Sequence, residues 1–435
     1  MDIGLWTRWL VMHGVPRTFM TIRARRGDPL ASLIASHGHG IDPYPLTEQL
    51  RTRGPLVRTP FAWASADHGV CREVLRDKRF GVSTPADRWA PGPLRKVLTH
   101  TNPGVANPVE PPAMVMVNHP DHTRYRQLVA QSFTPRAIDT LDARVSEVTH
   151  ELIDQLATKP RPDLIADFAA QLPVAIIAEI LGLPADTHPQ LLEWGRCGAP
   201  LLDIGIGWRT YRRAIDELRG VDGYLSDRFS QIRAESFGDT PFRRMAADNS
   251  MIDRELYSNA ALLIGAGFET TVNLIGNGIV QLLDHPEQLA RLRADPDLWS
   301  GAIEEILRFD SPVQLTARTA LCAVEIAGQR LRAGETVALL LGGANRDPNV
   351  FSDPNRFDIT RPNAREHLAF ASGVHACLGA ALARIEGATA LQSLFAAYPG
   401  LHLTESPSRR GLVNLHGYSC LPARLGSRTR STAEL

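Results

Sequence analysis

From Leu256 to Leu283 the sequence runs for 28 residues with helical periodicity and apolar residues on every side, around a single acid, Glu269. A helix without a polar face is stable only when buried, so other elements must wrap it. A buried carboxylate without a partner is costly, and Glu269 therefore needs an ion partner or a task. Gly265 and Gly267 precede it, each about 1 kcal/mol worse than alanine inside a helix. Thr270 and Thr271 follow, with hydroxyls able to bond back one turn and loosen the ladder. The pattern predicts a locally weakened, polar spot in the middle of a buried helix.

The rest of the chain supplies the wrapping. Helical periodicity marks Asp67–Arg76, Asp121–Ser132, Pro135–Leu156, Trp208–Ala234, Pro286–Ala294, Leu298–Phe309 and Leu378–Tyr398. Strand signals are confined to a hairpin, Leu56–Arg58 with Phe61–Ala64, and to Val324–Leu341. The fold class is mainly α with a small β portion. With no linker or repeat visible, one large domain over 41–425 is expected, preceded by an arm (1–40) and followed by a frayed tail (426–435). Residues 84–120 hold too many prolines for a regular element, and 195–208, rich in glycine and apolar residues, read as a mobile lid.

Charge narrows the function. Lys plus Arg and Asp plus Glu number 47 each, and a neutral chain lacks the basic footprint of a nucleic-acid binder. The five cysteines are odd in number and never in a C-x-x-C pair, which excludes a disulfide framework and c-type haem attachment and fits a reducing cytoplasm. The apolar stretch Ile3–Val15 is too short to span a membrane. With Arg17, Arg23, Arg25 and Arg26 beside it, it can either pack on the body or touch an anionic membrane surface.

One cysteine stands apart. Phe370-Ala371-Ser372-Gly373-Val374-His375-Ala376-Cys377-Leu378-Gly379 leads into a helical run. Cys377 thus falls at a loop-to-helix junction, where backbone N–H groups and the helix dipole favour a thiolate. A lone cysteine is more often an inert core residue, but the Phe-x-x-Gly-x-His-x-Cys-x-Gly spacing resembles the haem-binding loop of bacterial cytochromes P450. The resemblance extends from about Pro45 to Leu425. Ala266-Gly267-Phe268-Glu269-Thr270-Thr271 is similar to the family's oxygen-activation motif, and Glu305-Ile306-Leu307-Arg308 to its Glu-x-x-Arg pair. Glu-x-x-Arg also occurs at Glu48/Arg51, Glu73/Arg76 and Glu193/Arg196, where surface helix pairs are the plainer reading. Ala371 is a departure, since a glycine is usual there.

The resemblance implies haem b with Cys377 as axial ligand to the metal, a thiolate that favours O–O cleavage. It implies cofactor contacts from His122, Arg126, Arg318, His375, Gly379, Phe370 and Ala266, the cations serving the haem propionates. Thr270 and Glu269 become the catalytic pair that moves protons inward, with Gly267 leaving space above the iron. Glu305 and Arg308 become a buried structural pair. Leu262, Ala266, Val313, Leu315 and Tyr418 become substrate contacts, together with the loop 84–116 and the 194–208 region. As bare residues, Thr270 can instead be a helix-bending hydroxyl, Arg126 a solvated helix face and His122 a cap.

The implied function is a monomeric monooxygenase acting on a small hydrophobic substrate. NAD(P)H electrons would arrive through a separate ferredoxin and ferredoxin reductase, docking at Arg72, Arg76, Arg124 and Arg384. The alternatives are a peroxide-driven oxygenase, which has no need of the Glu269–Thr270 relay, and a haem-thiolate sensor, which needs only Cys377 and a pocket.

Overall fold

The computed structural model describes residues 2–83, 92–234, 239–248 and 250–429. The long apolar run folds as one helix of 32 residues, Asp253–Asp284, hereafter the central helix. Asp253 and Glu255 in its first turn oppose the dipole, and Glu255 Oε2 accepts the Ile252 N–H at 3.2 Å. Helices Gln171–Leu181, His188–Gly198, Trp299–Phe309 and Ala380–Ala397 pack around it. Its glycines allow that approach: a Cβ at Gly278 would lie 2.5 Å from Leu391 Cδ1, and one at Gly267 would lie 2.4 Å from Ile177 Cγ1. The expected weak spot does not break the helix, which stays α-helical through residues 265–271.

The β portion is small. Val57–Arg58 and Trp63–Ser65 form the expected hairpin, with Val57 opposite Ala64. They extend a five-stranded sheet through Thr336–Leu339, Thr316–Ala320 and Phe80–Gly81. Strand Thr316–Ala320, absent from the sequence reading, sets Arg318 opposite Val337.

Several segments differ from expectation. The proline-rich stretch contains a helix, Gly92–His100, because Pro93 occupies the first turn, where no N–H is needed; residues 84–91 lie outside the described ones. Pro135–Leu156 is two helices, Pro135–Asp139 and Asp142–Ala157. Gly195 and Gly198 belong to helix His188–Gly198 and are not lid hinges. A Cβ at Gly195 would meet the Phe268 ring at 2.2 Å, so this glycine serves helix contact. The N-terminal residues form helices Ile3–Trp9 and Val15–Ala24 joined by a π-turn over Leu10–Gly14; this segment buries Leu5, Arg8, His13 and Met20 and leaves Ile3, Val15, Phe19 and Ile22 exposed. No helix among the described residues is long and apolar enough to cross a membrane. Near the C-terminus, the Thr429 N–H donates to Ala397 O at 2.9 Å and Arg428 pairs with Asp154; residues 430–435 are outside the described set.

Candidate active site

A cavity of about 540 Å³ opens between the central helix and the cysteine loop. The loop is tied internally: the Cys377 N–H donates to Phe370 O at 3.0 Å and the Ala371 N–H to Leu368 O at 2.8 Å. Gly373, at φ +74°, has no alternative, because a Cβ there would lie 2.2 Å from Leu75 O. Gly379 differs: a Cβ there would meet no protein atom within 4 Å, and the residue borders the cavity, so its backbone leaves a shelf for a flat group. Cys377 is accessible from the cavity, although protein encloses it on its other sides. That enclosure pushes its thiol above the ordinary value, against the Gly379 N–H and the charges of Arg126 and Arg384. A metal cation bound here would deprotonate the coordinating thiol.

Beside the sulfur, positive groups gather. The His122 and His375 rings meet at a tilt of 58°, their centroids 4.2 Å apart. Burial pulls His375 down to about 3, reinforced by Arg318, His122 and Arg126. His122 is lowered by burial, then by Arg126, Arg318 and His119. Arg126 and Arg318 act on both rings, a positive surrounding that suits anions. Arg126 also donates to Ala376 O at 2.9 Å, and Arg318 to Ala317 O at 2.8 Å. A soft sulfur donor, an unobstructed shelf at Gly379 and a cationic rim fit a haem with its two propionates.

Across the cavity the central helix presents Leu262, Ala266 and Thr270. The Thr270 hydroxyl donates to Ala266 O at 3.4 Å, a long bond that leaves it able to turn. Gly267 also borders the cavity, and its missing Cβ lets Ile177 approach as well, since a Cβ there would lie 2.4 Å from Ile177 Cγ1. Glu269 is buried and receives Arg410 Nη1 at 2.6 Å. Arg410 escaped the sequence reading, since it lies 141 residues away in an unremarkable run. So did Glu386, fully within the protein at the cavity wall, its carboxyl pushed by burial up to about 8 despite a hydrogen bond from Thr271; its Oε1 has no partner. Nothing local in the sequence distinguishes it from a surface acid.

Phe370, Val313 and Leu315 also line the cavity. Tyr418 does not belong among the described lining residues: it is buried in the core with the Arg409 guanidinium 4.1 Å from its ring centre. Gly417 passes so close to Asn273 that a Cβ would lie 2.1 Å from its Oδ1, which carries the chain past the cavity; from this region Asn414 reaches it instead. Glu305 and Arg308 form the expected buried pair, both inaccessible, with bonds of 2.7 and 2.8 Å. Arg361 joins them at 3.1 Å, and Arg308 donates to Asn345 O and Pro354 O at 2.9 Å. Of the expected docking arginines, Arg72 and Arg76 are exposed. Arg384 is committed to Glu304 at 2.7 Å and Arg124 to Glu255 at 3.0 Å, which makes both structural first.

Comparison with known proteins agrees with this geometry. The cytochrome P450 family model matches residues 235–399. The protein designated cytochrome P450 140 of Mycobacterium bovis is 45% identical over 96% of this chain and 97% of its own length. The biotin biosynthesis cytochrome P450 of Bacillus subtilis is 36% identical over 86% and 94%. The solved structure of P450BioI in complex with hexadec-9Z-enoic acid ligated acyl carrier protein superposes with a TM-score of 0.80 at 34% identity, covering 88% of this chain and 98% of that one. A thiol at a loop-to-helix junction, a cationic rim and a threonine across the cavity, joined to likeness over nearly the whole length, place this chain in the cytochrome P450 family.

Proposed function

We propose that the protein inserts one atom of dioxygen into a small hydrophobic substrate, drawing electrons from a separate ferredoxin and ferredoxin reductase. The observation that carries this reading is the placement of Cys377 and Thr270 on one largely apolar cavity, with acids behind the threonine. When bound, the haem supplies the activation of dioxygen and the cleavage of its O–O bond, to which a thiolate ligand contributes electron density.

The protein's own share is binding, exclusion of water and proton management. Cys377 would hold the haem iron through its sulfur, while His122, His375, Arg126 and Arg318 would hold the propionates. Leu262, Ala266, Val313 and Leu315 provide the apolar lining that favours a hydrophobic substrate. Thr270 Oγ1, only loosely engaged by Ala266 O, holds a proton at the cavity. Glu269 is positioned by Arg410 to replace that proton from behind the helix. Glu386, kept largely protonated by its burial, adds a second acid hydrogen-bonded to Thr271. This provision for protons favours dioxygen over peroxide as oxidant and catalysis over sensing. Five free cysteines support a cytoplasmic setting.

The test is Thr270→Ala assayed with NADH, ferredoxin and reductase. Product formation is expected to fall by about a hundredfold, the low end of what a positioned proton donor contributes, while NADH oxidation continues and hydrogen peroxide accumulates. Unchanged coupling would contradict the proposal.

A further inference from the structure

The N-terminal segment packs on the body and still leaves an apolar face uncovered. Helix Val15–Ala24 lies against helix Pro29–Ala35 and buries Met20. Val15, Phe19 and Ile22, spaced four and three residues apart, share one side of it, and they are 56%, 40% and 44% exposed. The half-buried Phe61 ring, from the turn of the Val57–Ser65 hairpin, meets Phe19 edge-on with centres 6.3 Å apart, which extends the stripe. Single exposed apolar residues are ordinary on any surface; three in register on one helix, joined by a further ring, form a patch.

Positive charge frames the stripe. Residues 15–27 hold four arginines, Arg17, Arg23, Arg25 and Arg26, and no acid. Arg17, Arg25 and Arg26 are exposed, and among the described residues none of these three forms an ion pair. Arg53, also exposed, donates to Gly27 O at 3.0 Å, which brings another cation to the end of the helix. The acid next in sequence, Asp28, is buried and accepts the Ala31 N–H at 3.0 Å. The chain as a whole is neutral, so the excess is local.

Chemistry narrows the occupant. A nucleic acid would meet the arginines but leave Val15, Phe19 and Ile22 in water. A protein partner is recognised through directional hydrogen bonds as well as apolar area, and the helix keeps its hydroxyls to itself: Thr18 donates to Gly14 O at 3.1 Å and Thr21 to Arg17 O at 2.9 Å. Anionic lipid satisfies both features, with phosphates for the arginines and acyl chains for the stripe.

We propose that helix Val15–Ala24 docks the protein reversibly on an anionic lipid bilayer. Val15, Phe19 and Ile22 sink among the acyl chains, and Arg17, Arg25, Arg26 and Arg53 sit at the level of the phosphates. The docking face adjoins the substrate cavity. Arg17 lies against Gly205, where an added Cβ would be 3.3 Å from Arg17 Cβ, and neighbouring Ile204 is both exposed and part of the cavity wall. Docking therefore sets an apolar edge of that wall beside the lipid.

The holoprotein can be sedimented with vesicles of phosphatidylcholine alone or mixed with phosphatidylglycerol. At low salt it is expected to bind the anionic vesicles at least about tenfold tighter than the neutral ones, and high salt should remove most of that difference. Arg25→Gln combined with Arg26→Gln should weaken binding about tenfold or more, each arginine near such a surface being worth about fivefold. Phe19→Ser combined with Ile22→Ser should weaken it by about tenfold as well. Both variants should keep the parent's Soret band, which reports an intact haem site. No binding to anionic vesicles at low salt, binding indifferent to lipid charge, or binding that survives both double substitutions overturns the membrane face. A parent that ignores vesicles but runs as a dimer in sizing chromatography, with Phe19→Ser and Ile22→Ser making it a monomer, also overturns it and assigns the face to a second copy of this chain. The assay involves no oxidation, so its failure is separate from failure of the monooxygenase reading.

Discussion

At position 371 an alanine holds φ at +55°, a left-handed conformation that costs a residue with a Cβ roughly 1–2 kcal/mol. This gives the sequence departure a physical meaning: the family's usual glycine is there for the backbone, and this chain carries the strain inside its cysteine loop. Ala371→Gly is expected to raise stability toward urea by about 1 kcal/mol with the spectrum of the bound haem unchanged; a loss of stability would contradict the strain. Gly373→Ala should do the reverse, since its Cβ would strike Leu75 O at 2.2 Å. Cys377 and Thr270 are legible in local motifs that resemble the family's, and the histidine–arginine rim, drawn from three distant segments, only through that resemblance. Arg410 and Glu386 are not, because their meaning comes from burial and from partners far away in the chain.

At the scale of elements, the same difference between local and non-local signals recurs. Trp208–Ala234 and Pro286–Ala294 match their sequence periodicity residue for residue. Helix Gln171–Leu181, absent from the sequence reading, carries Pro173 in its first turn, where proline is tolerated. Strand Thr316–Ala320 shows no apolar alternation and is fixed by neighbours on both sides. The Glu305–Arg308–Arg361 cluster ties helix Trp299–Phe309 to the irregular chain from Asn345 to Arg361. Replacing Glu305 by Gln leaves two buried guanidinium groups short of their counter-charge. We expect a loss of about 3–5 kcal/mol, seen as a lowered urea midpoint and less haem retained per protein. A variant of unchanged midpoint would show that the cluster is dispensable.

At the scale of the molecule, a formal charge of zero leaves no global field to steer an acidic electron donor, so docking must depend on a local patch. Arg72 and Arg76 are exposed on helix His68–Arg76, whose end abuts the cysteine loop where Gly373 meets Leu75 and Arg76. Exchanging both for glutamate should slow reduction by ferredoxin at least about tenfold at low salt and leave substrate-induced Soret shifts intact; equal reduction rates would reject this face. The most direct measurement of the whole account is the absorbance of the dithionite-reduced protein under carbon monoxide, before and after Cys377→Ala. Sulfur ligation predicts a strongly red-shifted Soret band that the substitution abolishes. A band at the position typical of histidine-ligated haem, or a red-shifted band that survives alanine at this site, would contradict it.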